Sequence, residues 1–391
     1  MRILVAILCA CTLATGQDVR RALPVDSGAV FDEQAKFLAG YPLQPTSVLG
    51  RRQATARGSA HAKAFERLWA RYNEHYFLPM REWAAGELAS RIPSTAPVFY
   101  FFGGPDAISA LALYPSAGDY LLGGLEPVGS FPAPESLPDD RLQAALDNLR
   151  NSTEVILSCG HFITKEMKAN LEATDFRGVL PVLVTFVAMT GGEVLDIRYF
   201  GIDSAGMARD FGTDFHEGKG MLPGVRITFR RNAASAPQRI HYVQANVADD
   251  SSKSRDSVLK WAARLGKGNV YLKAASYLVH EPGFSSVRNF LLGQAVSVLQ
   301  DDSGIPFSFF QNGEWRSWFF GTYSGTLDIF KKYYQPDLDQ AFRLGGIPLA
   351  FGIGYKWRVG ESNLLLAIRQ APPRAEPVRK ANPVVITPPL Y

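Results

Sequence analysis

Residues 97–129 read PVFYFFGGPDAISALALYPSAGDYLLGGLEPVG, two apolar runs that break at Gly103-Gly104-Pro105-Asp106 and at Gly123-Gly124-Leu125-Glu126. Short apolar runs bounded by glycines suit buried strands, so the stretch predicts a strand, a Gly-rich turn, a short helix and a second strand. Such a β-α-β unit sets Asp106 and Glu126 just beyond the strand ends, at one edge of a sheet, where sites often form. This predicts a place and not yet a chemistry.

Working outward toward the N-terminus, Phe65, Leu68, Trp69, Tyr72 and Tyr76 fall at helical spacing, and the pattern resumes at Met80, Trp83, Ala84 and Leu88 after Leu78-Pro79. Two amphipathic helices joined at a kink are expected. His61 and His75 are too far apart to share a helical turn, which removes them as a metal pair. Residues 17–58 mix prolines and glycines with short apolar pieces and read as an arm packed along the body.

Toward the C-terminus, residues 127–138 form a Pro-rich loop, Leu142, Leu146 and Leu149 mark a short helix, and residues 154–157 a strand leading into Ser158-Cys159-Gly160-His161. Residues 180–189 read as a strand, Gly191-Gly192 as a hairpin turn, and Leu195, Ile197 and Tyr199 as the return strand. Val225, Ile227 and Phe229, then residues 240–245, extend an antiparallel group whose alternating arginines face water. Helices are expected over 258–265, 270–280 and 285–299, a hairpin around Asn312-Gly313, a helix at Leu327, Phe330 and Tyr334, and a closing strand pair at 351–358 and 363–369. Six prolines in the last twenty-one residues make 371–391 an extended tail. The fold class that results is α+β: one large body over 59–370, with a mixed, largely antiparallel sheet, a β-α-β segment and packed helices.

With 47% hydrophobic and 12% aromatic residues the 391-residue chain has ample material for a core. The net charge of +4, 41 basic against 37 acidic residues, comes without a Lys/Arg block, so nothing calls for nucleic acid. The opening MRILVAILCACTLATGQDV reads as an export signal over 1–16: Arg2, an apolar run from Ile3 to Leu13, and Ala14-Thr15-Gly16 before Gln17. A lipoprotein variant lipidated at Cys11 is the lesser alternative. Removal of the signal leaves Cys159 alone, so no internal disulfide is expected, and no later run is long and apolar enough for a membrane helix. The expected location is the periplasm or the exterior.

Three site readings follow from the residues. The first takes strand, Gly103-Gly104, helix, strand and Glu126 about twenty residues on as a nucleotide cradle, NAD or S-adenosylmethionine included. Against it stand the missing third glycine, Pro105, an Asp106 that repels phosphate, and export. The second takes Asp106, Glu126, Asp301 and Asp302 as acids for hydrolysis of a glycan or peptide. Tyr277, Trp318 and Tyr323, with Trp315, supply aromatic surfaces. Asp301 and Asp302 are expected to follow a helix C-terminus, where a cation such as Lys273 or Arg288 would offset them. The third uses Cys159 with His161 or a distant histidine. No Gly-x-Ser-x-Gly elbow and no His-Glu-x-x-His motif is present, so serine and zinc hydrolases are disfavoured and neither a metal nor a cofactor is called for.

The 97–129 stretch, with Lys273-Ala274-Ala275-Ser276-Tyr277-Leu278, Phe284-Ser285, the run from Leu299 to Pro306 and Phe320-Gly321-x-Tyr323, resembles a group of exported bacterial proteins of unknown function over roughly residues 60–368. The resemblance implies bacterial export and no activity. The leading expectation is therefore an exported, envelope-associated binding protein for a glycan, peptide or small molecule, and the alternative a hydrolase of such a polymer.

Overall fold

Val98 and Tyr100 belong to one apolar core, Phe99 and Phe101 to another, and all four are buried. Side chains alternate across a strand, so an unbroken apolar run means a strand covered on both faces. Tyr120 and Leu122 against Leu121, Tyr271 against Val270 and Leu272, and Leu364 and Leu366 against Leu365 divide in the same way. The sheet is the middle layer of three.

The computed structural model describes residues 27–130, 133–159, 175–213 and 220–370. The expected export segment, the tail from 371 and His161 lie outside these residues. The strands are β1 (Val98–Tyr100), β2 (Asp119–Gly124), β3 (Glu193–Ile202), β4 (Ala208–Gly212), β5 (Leu222–Arg230), β6 (Gln238–Gln244), β7 (Gly268–Leu272), β8 (Ala295–Gln300), β9 (Trp315–Gly321), β10 (Gly346–Ile347) and β11 (Asn363–Arg369). They form one eleven-stranded sheet in the order β10-β9-β11-β8-β7-β1-β2-β6-β5-β3-β4. The sheet is mixed, with five parallel and five antiparallel pairings. The block β8-β7-β1-β2-β6 at its centre is wholly parallel.

One face carries the helices before β1, the short helix Ala107–Leu113 and the helices Asp139–Cys159 and Leu180–Met189; the other carries Ser252–Ala263, Ser285–Gln294 and Pro336–Gly345. The segment before residue 58 holds helices Ser27–Leu38 and Val48–Gln53, and Phe37 and Leu38 enter the core. The run from Ala56 to Leu88 stays helical through π-turns at Asn73–Phe77 and Ala84–Leu88, so Pro79 is accommodated beside a π-turn.

Residues 180–189 are a helix and not a strand. All ten are buried, Thr185 Oγ1 donates to the Pro181 carbonyl one turn back, and Gly191 at φ +79° closes the C-terminus, so Gly191-Gly192 is no hairpin turn. The β-branched residues cost at most about 0.7 kcal/mol each in a helix, whereas burying a Val, Leu or Phe side chain gains about 1.5–3 kcal/mol. A place enclosed by other helices outweighs propensity. Residues 154–157 likewise continue the helix Asp139–Cys159. The expected helices at 270–280 and 285–299 instead contain β7 and β8, residues 307–310 form a 3₁₀ turn, and only an isolated bridge joins Ile353 and Lys356. On the antiparallel wing the arginines meet cross-strand or neighbouring acids, Arg226 with Asp210 at 2.8 Å, Arg230 with Glu193 at 2.7 Å and Arg198 with Asp196 at 2.9 Å. These are solvated pairs of small energetic weight.

Candidate functional site

The five central strands all end at one edge, and a cleft of about 160 Å³ opens there. Its walls come from the turns after four of them: 101–106 after β1, 123–126 at β2, 245–247 after β6 and 273–276 after β7. From β1 the chain crosses one face of the sheet through Ala107–Leu113 to reach β2 on one side. Through Ser252–Ala263 on the opposite face it arrives at β7 on the other side. Where strand order reverses in this way, the two loops diverge and leave a crevice at the carboxyl ends.

Asp106 and Lys273, from these two diverging loops, form an ion pair inside the cleft, 1% and 4% exposed. Tyr100 donates its hydroxyl to the Asp106 carboxylate at 3.4 Å. Burial pushes the Asp106 carboxyl above its ordinary range, and the Lys273 ammonium opposes the shift. Glu126, also buried, lies across the cleft's second wall; Tyr242 donates to its carbonyl at 2.8 Å and to its carboxylate at 3.4 Å. The carboxylate folds back over Gly124, where a Cβ would stand 2.3 Å from Oε2. A side chain at 124 would have to displace the carboxylate from that position.

The turn after β1 is not a phosphate cradle. Its amides are spent internally: Gly103 donates to the Tyr100 carbonyl (3.2 Å), Gly104 to Gly123 (3.0 Å), Asp106 to Gly103 (2.9 Å) and Ala107 to Pro105 (2.8 Å). Pro105 has no N–H to offer. A phosphate needs such donors free.

Immediately after Lys273, three residues other than glycine adopt the left-handed conformation, Ala274 (φ 48°), Ser276 (φ 52°) and Tyr277 (φ 55°). Each costs of order 1–3 kcal/mol and persists only when surrounding contacts hold it. The contacts come from three distant segments. Ala274 N–H donates to Asp301 Oδ2 at 2.9 Å and Ala275 N–H to Ser303 Oγ at 2.8 Å. The Tyr355 hydroxyl donates to the Ala274 carbonyl at 3.0 Å, accepts from Ser276 N–H at 3.0 Å, and lies 2.8 Å from Ser276 Oγ. Tyr277 donates to Asp302 and stacks flat on Tyr333 at 4.9 Å.

The candidate residues thus fall into two neighbouring groups. Asp106, Glu126 and Lys273 line the cleft. Asp301 and Asp302 lie behind its loop and brace it, and Tyr277 ends that loop with its hydroxyl on Asp302. Asp301 and Asp302 follow β8 and not a helix end, and Lys273 pairs with Asp106 instead of offsetting them. Asp302 is met by Asn363, which accepts from its N–H at 2.8 Å and donates to its carboxylate at 2.9 Å. Arg288 donates to the Val279 carbonyl. Tyr323 is buried and accepts from Gln335 N–H at 3.2 Å. Trp318 on β9 lies beneath the guanidinium groups of Arg91 and Arg316, outside the cleft lining. Cys159 ends the helix Asp139–Cys159. Ser303, Tyr355 and the cleft-lining Asn246 were not singled out by the sequence; no local pattern marks residues whose role is set by distant segments.

Among the described residues no group of three or more His, Cys, Asp or Glu is placed to hold a metal ion, and no helix is long and apolar enough to cross a membrane. Comparison with protein-family models, with curated proteins and with solved structures returns no match.

Proposed function

We propose that this chain is an exported, envelope-associated protein that binds a small organic molecule in the cleft between the 103–106 turn and the 273–277 loop. The observation that carries the reading is the strained loop. Three left-handed residues, over-determined by Asp301, Ser303 and Tyr355, stand at the strand-order reversal beside a buried ion pair. Strain held in place by so many contacts is a mark of binding and catalytic loops, and a cleft with mixed apolar and polar walls suits an organic ligand. Leu125 at the rim is 55% exposed, so Leu125→Trp fills the cleft without touching the core. The expected result is that some member of a panel of nucleosides, sugars, amino acids and short peptides raises the melting temperature of the wild type and not of Leu125→Trp. A panel with no such difference sinks the reading. Export is checked separately by fractionating cells that produce the full chain; protein confined to the cytoplasm removes that part.

Hydrolysis of an envelope glycan or peptide is the second reading, supported by two carboxylates, Asp106 and Glu126, on one cleft and by the raised Asp106 pKa, which suits a proton donor. Asp301 and Asp302 take no part in it. If wild type and Asp106→Asn release equal product from cell-wall fragments, the reading is finished.

A further inference from the structure

Lys273 stands one residue beyond β7, at the carboxyl edge of the parallel block, 4% exposed and on the lining of the cleft. Lysines are almost never so buried unless paired. Its partner Asp106 is 1% exposed and lines the same cleft. One residue pins the backbone on either side: Asp301 N–H donates to the Leu272 carbonyl at 3.1 Å, and the Asp301 carboxylate accepts from Ala274 N–H at 2.9 Å. A long, flexible amine is thus held at its base and at its tip, with Tyr100 donating to the same carboxylate at 3.4 Å. On the cleft-binding reading above, we infer that Lys273 is a nucleophile that condenses with a small neutral aldehyde or ketone to form an imine, with Asp106 carrying the protons.

Two buried charges are costly to desolvate, and passing one proton from Nζ to the carboxylate leaves a neutral amine beside a neutral acid. Burial raises the Asp106 pKa, which favours that transfer. The amine lone pair then adds to the carbonyl carbon, and the carbonyl oxygen takes the Asp106 proton. The nitrogen gives a proton back to Asp106, which delivers it to the hydroxyl as the C–O bond breaks and water leaves. In sum, ammonium and carbonyl become iminium and water. Asp106 is a carboxylate at the start and at the end, so the ion pair persists with an iminium in place of the ammonium. Phe101, Phe102, Leu125 and Val247 give the cleft apolar walls that limit the water able to reverse the step. Among the described residues of the lining Lys273 is the only basic one, and Asp106 already meets its charge. A ligand carboxylate would find no cation there, so the class is neutral. The volume of about 160 Å³ suits a compound of a few carbon atoms.

The test is reductive trapping on the full chain with cyanoborohydride, which gives hydride to the iminium carbon and fixes the adduct as a secondary amine. Butanone and dihydroxyacetone are the neutral probes, pyruvate the anionic one and glycerol the control without a carbonyl. Peptide mass mapping reads a gain of the probe's mass less one oxygen, with exposed Lys63, Lys253 and Lys331 as internal standards. Expected is trapping of a neutral probe at Lys273 at least about tenfold faster than at the standards. Leu125→Trp is expected to lose that excess and spare the standards, and Lys273→Arg to lose the adduct at 273. Since Lys273 is buried, its variant counts only if its melting temperature stays near that of the wild type; Leu125→Trp carries the test otherwise. Labelling of Lys273 no faster than of the standards, or unchanged by Leu125→Trp, overturns the proposal. Pyruvate trapped as fast as the neutral probes overturns the restriction to neutral ligands. If a compound raises the melting temperature in a manner sensitive to Leu125→Trp while no probe is trapped at Lys273, the covalent step is wrong and the binding reading stands. If neither effect is seen, both fall together.

Discussion

Asp301 shows how one carboxyl couples the loop to pH. Its Oδ2 accepts from Ala274 N–H at 2.9 Å, and its Oδ1 from Ser303 N–H at 3.0 Å and Ser303 Oγ at 2.5 Å. These bonds favour the charged form, yet burial and the neighbouring Asp302 outweigh them and raise its pKa from 3.8 to about 7. A raised carboxyl pKa means that the native state holds the proton more tightly than the unfolded chain, so the contribution to stability is full below the unfolded value and is lost as pH rises through about 7. Urea unfolding of the two proteins side by side should therefore show the wild type losing stability relative to Asp301→Asn between pH 5 and pH 8, on the order of a few kcal/mol, whatever slope the histidines His61 and His280 add to both. Equal slopes in the two proteins would remove the proton-linked role. Gly354 sets the tolerance of this corner, for at φ +71° it brings its Cα so close that a Cβ would stand 2.1 Å from Asp301 Oδ2. Gly354→Ala is expected to cost at least about 1–2 kcal/mol from the left-handed backbone alone, read as a lowered denaturation midpoint.

At the scale of elements, the 273–277 loop is held more by other segments than by itself. Tyr355 touches three of its polar groups through one hydroxyl. Tyr355→Phe is expected to destabilise the fold by about 1–2 kcal/mol and to speed hydrogen exchange of the Ala274–Ser276 amides while leaving those of β1 unchanged; uniform acceleration through the sheet would point to general loosening instead. This dependence on distant partners also explains what the sequence could and could not disclose. The β-α-β unit at 97–126 was legible because two glycine pairs bracket its strands, and with it the placing of Asp106 and Glu126 at one edge. Lys273 was a candidate, but its pairing with Asp106 needs β7 to lie beside β1, which no local pattern encodes. β7 and β8 were read as helix because a five- or six-residue strand covered on both faces, β7 wholly buried and β8 all but Val296, shows no alternation. The helix at 180–189 was read as strand for the converse reason, since an apolar run rich in β-branched residues, broken only by the buried Thr185, has no polar face to reveal its period. Left-handed Ala274, Ser276 and Tyr277 leave no compositional trace, as glycine would have.

The whole molecule divides along its sheet, with β1 to β6 on one side of the β1–β7 pairing and β7 to β11 on the other. That seam is short, Val98 opposite Asn269 and Phe99 opposite Val270. The N-terminal helices strap across it, with Trp83 packed edge-on against Phe320 at 4.9 Å and Phe351 at 5.8 Å. Trp83→Ala should cost about 3 kcal/mol, the low end for a large aromatic because Trp83 is only partly buried, and should separate the unfolding of the two halves into distinct transitions; one unchanged transition would show that the strap is unimportant. The ion pair at the cleft straddles the same seam, and this matters during synthesis. At ribosomal speeds Asp106 emerges on the order of ten seconds before Lys273. Until β7 arrives, β1 is an open strand edge with a carboxylate at its end and no counter-charge, a nascent-chain hazard that favours delayed folding. A chain kept unfolded until its last strands have been made would never pass through that state.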